Sequence, residues 1–302
     1  MNTTHKSACA GINGAAAQAE SGKCIKASII ALDLDDTLLK DDLTISDYTV
    51  GVLQKAVQQG IYITLCSGRS DNAILPYVRR MDIAGTQQGR YIISQNGTEI
   101  SDLHKREVIY SRILGASILK HIYRKANERN LVSQVYDAST IYIPFLNEWS
   151  NVDAKLSGLK QKVVADYETF LTQGFHKMVV PGEPEVLQVL QSELKNELKE
   201  HCVIFTSKPY FLEILPKESG KGEALIWLAK RLNISQEHTM AFGDSMNDES
   251  MIRLAGCSVA MKNGADKIKK LACRVSDYTN DEDGVARFID AYILSQYAKK
   301  AE

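Results

Sequence analysis

Three carboxylates, Asp33, Asp35 and Asp36, directly follow the apolar run Ile29-Ile30-Ala31-Leu32. In an extended segment Asp33 and Asp35 fall on the same side, because side chains alternate with period two. Two carboxylates so close should not both ionise unless a cation sits between them, so the stretch points to a bound divalent metal. Further along the chain stand three other polar clusters: Ser67-Gly68-Arg69, Lys221, and Gly243-Asp244-Ser245-Met246-Asn247-Asp248. Phosphoryl transfer needs such groups, namely donors and positive charge on the transferring oxygens and carboxylates for nucleophile and proton work. Taken singly, each cluster also reads as ordinary structure: a solvated turn, a helix cap at Ser67, a surface lysine, a turn at Gly243-Asp244.

The elements around the clusters put them at strand ends and helix starts. Ile29 to Leu32 reads as a buried strand of a parallel sheet, with the aspartates at its carboxyl end, where ligands bind in open α/β sheets. Ser46 caps a helix through about Gln59, and Gly60 closes it. A second strand over 61–66 ends at Ser67-Gly68-Arg69, a helix follows over 70–81, and a third strand over 91–94 leads into the turn Gln95-Asn96-Gly97-Thr98. This β-α-β-α-β order predicts an α/β, doubly wound (Rossmann-like) parallel sheet. Residues 104–206 break the alternation, with helices over 113–129 and 185–200 and short strands over 140–144, 177–180 and 202–206. They predict an inserted α+β unit. The α/β pattern is expected to resume with a strand over 211–215 and a helix from Gly220-Lys221-Gly222 to about Leu232. Strands over 238–242 and 257–261 and a closing helix over 287–297 follow. The expected division is a disordered leader at 1–24, a discontinuous core at 25–103 and 207–297, and an inserted cap at 104–206.

The 302 residues are 44% hydrophobic and 24% charged, with a formal net charge of −1. That balance gives no general attraction to nucleic acid or anionic membrane. No apolar stretch approaches the roughly 18–20 residues that span a bilayer. The six cysteines form no C-x-x-C pair and the six histidines no H-E-x-x-H. Reduced thiols in a cytoplasmic protein, and no zinc site, are expected.

In this order the clusters resemble the motifs of the haloacid dehalogenase superfamily of phosphotransferases. Asp33-Leu34-Asp35-Asp36-Thr37-Leu38 matches D-x-D-x-T-L, Ser67 the second motif, Lys221 the third, and Gly243 to Asp248 the G-D-x-x-N-D of the fourth. The long stretch between Ser67 and Lys221 is similar to the large α/β cap of the Cof-type sugar-phosphatase branch. The strings Ser67-Gly68-Arg69, Asn96-Gly97 and Phe211-Leu212-Glu213-Ile214 fit that branch too. One departure is Asp36, where the commonest residue is Gly.

The resemblance implies Asp33 as nucleophile, giving an aspartyl-phosphate, and Asp35 as acid and then base. It implies Mg2+ held by the Asp33 and Asp244 carboxylates and the Asp35 carbonyl, with Asp248 and Ser245 in support. Ser67, Gly68, Lys221, Asn247 and the Leu34 and Asp35 amides are expected on the phosphoryl oxygens. Arg69 would touch substrate or form a structural ion pair. The implied activity is Mg-dependent hydrolysis of small phosphorylated metabolites, sugar phosphates foremost, with no nucleic-acid or membrane partner. A phosphomutase on the same scaffold and a non-catalytic phospho-ligand sensor are the alternatives. Tyr142, Asn147, Glu148, Trp149, His176 and Lys177 are cap candidates for reading the rest of the substrate, or else core packing or plain surface.

Overall fold

The computed structural model describes residues 26–82 and 90–298, so the leader expected at 1–24 lies outside the described residues. The chain forms two compact units. The first takes its described residues from Met1–Leu65, Tyr77–Arg90 and Leu225–Glu302, the second from Cys66–Pro76 and Tyr91–Ala224.

At the centre of the first unit is the strand Ile29–Asp33, whose apolar residues Ile29 to Leu32 have no exposed surface. Each of the Ile and Leu side chains contributes about 1.5–3 kcal/mol of burial. Burial on both faces is what a strand inside a parallel sheet requires. Its neighbour Thr239–Gly243 is parallel to it, and Cys257–Ala260 and Arg274–Val275 continue the parallel ladder outward. Tyr62–Cys66 lies on the other side of Ile29–Asp33. The helix Asp47–Gln58 begins as expected, with Ser46 Oγ accepting from the Thr49 amide at 3.0 Å. Gly60, at φ +82°, ends it. The closing helix is broken by a wider turn: Gly284–Ile289, then Asp290–Leu294, then Ser295–Ala298.

The second unit contains a six-stranded sheet in the order Cys202–Lys208, Phe211–Pro216, Met178–Pro181, Gln134–Tyr136, Thr140–Ile143, Lys160–Val163. Only the last of these pairings is parallel. The strand expected to resume the α/β alternation at 211–215 belongs here instead, antiparallel to both of its neighbours. The reason is the link: only Pro209 and Tyr210 separate it from Cys202–Lys208. So short a link makes a hairpin, whereas a parallel neighbour needs a crossover of a dozen residues or so.

Helices Ala116–Asn127 and Pro184–Leu198 bury Leu119, Ile122 and Ala126, and Leu187, Leu190, Leu194 and Leu198, in one apolar cluster. The charge-rich turn of the second helix is more than a solvated face, since Glu193 pairs with Lys125 and with Arg129, each at 2.5 Å. Strands Glu99–Asp102 and Glu107–Ser111, which add an antiparallel ladder to Tyr91–Ser94, were not expected, nor were the helix Glu148–Ser157 and the strand Lys160–Val163. Glu107–Ser111 and Lys160–Val163 are largely exposed, so the apolar run that marks a buried strand is missing from them. No helix among the described residues is long and apolar enough to cross a membrane.

Candidate active site

Strand register brings the first and fourth motifs together in the first unit. Leu32 pairs with Phe242, so Asp33 and Gly243 stand level at the carboxyl ends of adjacent strands, with Asp244 one residue further. After Asp33 the chain makes a wide turn over Leu34–Leu38, closed by the Leu39 amide donating to the Leu34 carbonyl at 2.9 Å. Asp36 sits in that turn at φ +60°, in the left-handed region.

One carboxylate oxygen from each of Asp33, Asp244 and Asp248 lies within 4.8 Å of the others. Asp33 is 4% exposed, Asp244 9% and Asp248 0%. This group differs from the one that alternation alone suggested, because Asp35 lies in the wide turn, past the strand end, and is not part of it. The Ser245 hydroxyl, beside this group in sequence, donates to Asn247 Oδ1 at 2.6 Å. Asp248 Oδ2 accepts from the Asp244 and Ser245 amides at 3.0 and 3.1 Å, so it folds the loop that presents Asp244. Thr37 Oγ1 donates to Asp244 Oδ1 at 3.1 Å. Thr37 was visible as part of the first motif, but nothing in its spacing gave it this task. A set made of oxygens alone, tightly grouped and nearly dry, fits a hard divalent cation such as Mg2+.

The second unit holds the second and third motifs. Ser67 is 1% exposed and its backbone is tied at both ends: its amide donates to the Ile93 carbonyl and its carbonyl accepts from the Asn96 amide, both at 2.9 Å. The Gln95 amide donates to the Arg69 carbonyl at 3.0 Å, and the Arg69 amide to Ser67 Oγ at 3.2 Å. The turn that grips this loop presses in turn on the third motif. Gly97 is at φ +87°, and a Cβ there would meet the Gly220 carbonyl oxygen at 2.1 Å. Lys221, the next residue, is fully buried, where an ammonium persists only against compensating groups. Arg69 remains partly exposed.

Five of the cap candidates have structural partners. Asn147 caps the helix Glu148–Ser157, accepting from the Ser150 amide at 2.8 Å. Tyr142 donates to Asp137 Oδ2 at 2.6 Å, and Trp149 stacks with Tyr210, ring centroids 6.0 Å apart. His176 Nε2 lies 3.1 Å from Glu99 Oε2, with Nδ1 at the Arg112 carbonyl. Burial pushes the His176 imidazolium down, but the hydrogen bond and charge of Glu99 outweigh it and hold its pKa above the ordinary value. Glu148 is exposed in the first turn of its helix. Lys177 lies 3.3 Å from Glu213 and donates to the Gly68 carbonyl at 3.1 Å. Sequence reasoning quoted Glu213 and Asn96 only as parts of strings, with no task assigned to either.

Comparison with known proteins follows the same outline. The profile of haloacid dehalogenase-like hydrolases matches residues 30–289. The 5-amino-6-(5-phospho-D-ribitylamino)uracil phosphatase YwtE of Bacillus subtilis (strain 168) is 32% identical over 293 residues, covering 89% of this chain and 99% of its own. A solved haloacid dehalogenase-like hydrolase from Bacteroides thetaiotaomicron superposes with a TM-score of 0.78 at 32% identity, covering 88% of this chain and 99% of that one. The fold is also that of a solved subclass IIB sugar phosphatase, with a TM-score of 0.74 at 21% identity over 88% of this chain and 98% of the other.

Proposed function

Because the chain belongs to the haloacid dehalogenase-like hydrolase family and is a phosphatase, we propose that it hydrolyses small phosphorylated metabolites, sugar phosphates foremost, with Mg2+ and through a phosphoryl-enzyme on Asp33. The observation that carries this reading is the grouping of Asp33, Asp244 and Asp248 within 4.8 Å at strand ends. Three anionic groups so close repel unless a cation joins them. The substrate class is favoured by the relatives: YwtE is named for a phosphorylated ribityl compound, and a sugar phosphatase shares the fold. We assign the activity to the cytoplasm, and to no nucleic-acid or membrane partner.

Asp33 and Asp244 would hold the ion, with the Asp35 carbonyl as a further ligand and Asp248 supporting them through the loop it folds. When bound, the metal offsets the repulsion between a carboxylate nucleophile and an anionic phosphate. An Asp33 oxygen attacks phosphorus as the bond to the leaving oxygen breaks, and Asp35 gives that oxygen its proton. In the second half, Asp35 takes a proton from water, the water oxygen attacks phosphorus, and Asp33 leaves as carboxylate. Ser67, the Gly68 amide, Lys221 and Asn247 bind the transferring oxygens, and Arg69 the remainder of the phosphate.

The test is release of inorganic phosphate from p-nitrophenyl phosphate and from a panel of sugar and polyol phosphates, with Mg2+ and with chelator. Turnover should need the metal. Asp33→Asn should lower it by about a thousandfold or more, the loss typical of a missing nucleophile. Retention of full turnover in that variant would overturn the mechanism.

A further inference from the structure

Lys177 and Glu213 form an ion pair with only 10% and 9% of their side chains exposed. Two charges taken out of water must be offset by further contacts, and an apolar pair of the same volume often serves stability as well. What distinguishes this pair is what it grips. Glu213 Oε2 accepts from Lys177 Nζ at 3.3 Å and from Asn96 Nδ2 at 2.7 Å. Lys177 Nζ, which also lies 5.1 Å over the Tyr136 ring, donates to the Gly68 carbonyl at 3.1 Å.

The Gly68 carbonyl and the Arg69 amide are the two ends of one planar trans peptide and point in opposite directions. The Arg69 end donates to Ser67 Oγ. Holding the carbonyl end therefore fixes the amide end, and a cation at the oxygen strengthens the bond the amide makes. A hydroxyl has one proton to give. With its oxygen already accepting from Arg69, Ser67 is set to donate that proton outward. Without the grip this peptide would turn easily, since glycine tolerates both hands of backbone conformation. Asn96 closes the other side: a Cβ on Gly68 would lie 2.9 Å from Asn96 Oδ1.

We propose that Lys177, held in place by Glu213, is a positioning residue that acts through the Gly68 peptide to aim the Ser67 hydroxyl at the transferring phosphoryl group. The inference rests on the reading of Ser67 as a phosphoryl donor, and it accounts for a buried charge pair that packing does not require.

A double-mutant comparison tests it, with p-nitrophenyl phosphate as substrate and Mg2+ present. K177M combined with E213Q removes both charges at once, so neither is left buried alone. In the otherwise native chain this should lower kcat/KM by about ten- to a hundredfold, the scale of a misplaced catalytic contact. In an S67A background the same change should cost less than about threefold, because the group it positions is gone. A merely structural role would cost the same factor in both backgrounds, and that result overturns the proposal. E213Q alone keeps an acceptor toward Asn96 and Lys177, and should show a smaller factor with the same dependence on Ser67; should the double variant fail to fold, an equal E213Q factor in both backgrounds is equally fatal. If S67A itself turns over like the native chain, the assignment of Ser67 falls and takes this inference with it. An impaired S67A with additive factors removes this inference alone.

Discussion

The first unit draws three carboxylates together from two short runs of sequence, Asp33 on one and Asp244 with Asp248 on the other. The second unit ties the short loop that carries one serine to groups from four separate segments, around Ser67, Asn96, Lys177 and Glu213. In the first, Asp244 and the Asp248 that braces it share one short run, and the strand register brings Asp33 beside them. In the second, the residue with the proposed role is local, while its bracing comes from the far strands of another sheet. A motif can therefore carry a site almost whole, or carry only its tip.

The difference is sharpest at Asp248. Its carboxylate is fully buried and holds the Asp244 and Ser245 amides. Asp248→Ala should leave the buried Asp244 amide without this acceptor, at about 1–3 kcal/mol, and the part-buried Ser245 amide at less. It should also weaken Mg2+ by about ten- to a hundredfold, the usual cost of losing a group that orients a metal ligand. Thermal melting and a Mg2+ titration of turnover read the two effects separately. Asp248→Asn keeps an oxygen for the amides, so it should recover most of the stability and less of the metal response. A variant that lost stability without any change in the Mg2+ titration would show that Asp248 braces the fold alone.

The same contrast decides what the sequence could tell. The buried run before Asp33 and the Gly243-Asp244 turn declare a strand end and a loop, and the acidic grouping follows from parallel pairing. Alternation alone does not bring the Asp35 carboxylate into that grouping, because Asp35 stands beyond the last strand residue, Asp33, inside the turn over Leu34–Leu38. The strand Phe211–Pro216 was given to the wrong sheet, although the two-residue link before it already demanded a hairpin. Lys177, Glu213 and Asn96 stand in the sequence, but nothing short-range says that a lysine just before one strand meets a carbonyl more than a hundred residues earlier. Such pairings arise from tertiary packing and leave no local period.

In the second unit, by contrast, the Glu99–His176 pair should affect stability with little effect on chemistry. The pair also faces Asp71, whose pKa burial raises, and whose carboxylate accepts from Ser101 at 2.5 Å. His176 is raised above its ordinary 6.5. Its contribution is thus whole below pH 6.5 and is lost as pH climbs through the raised value. Glu99 is lowered from 4.5, first by the His176 hydrogen bond, so its contribution is whole above pH 4.5 and is lost on acidification. Asp71 works against Glu99 at the acid end, which leaves the alkaline limb as the clean test. Stability, read by melting, should fall as pH climbs above 6.5 through that raised value, by less than about 1 kcal/mol for a partly exposed pair. His176→Gln should flatten that slope. A native chain with no slope there would mean that the pair does not couple to folding.

The smallest effect is expected at Asp36, the departure from the family's usual glycine. Its φ of +60° explains the preference, since a left-handed residue costs an ordinary side chain about 1–2 kcal/mol. Aspartate is among the few residues that tolerate this region, because its short polar side chain can bond locally. The backbone here is also tied down, with Asn263 Nδ2 donating to the Asp36 carbonyl at 2.7 Å. Asp36→Gly relieves the strain but gives the unfolded chain more freedom, at about 0.4–1 kcal/mol. The two nearly cancel, so the variant should be stabilised by no more than about 1 kcal/mol in melting experiments. Turnover should stay within about twofold, because the exposed Asp36 carboxylate is no part of the acidic grouping and the turn that carries Asp35 keeps its shape. A tenfold change in turnover would show instead that the charge of Asp36 reaches the reacting centre, and the first unit would then owe its field to four carboxylates, not three.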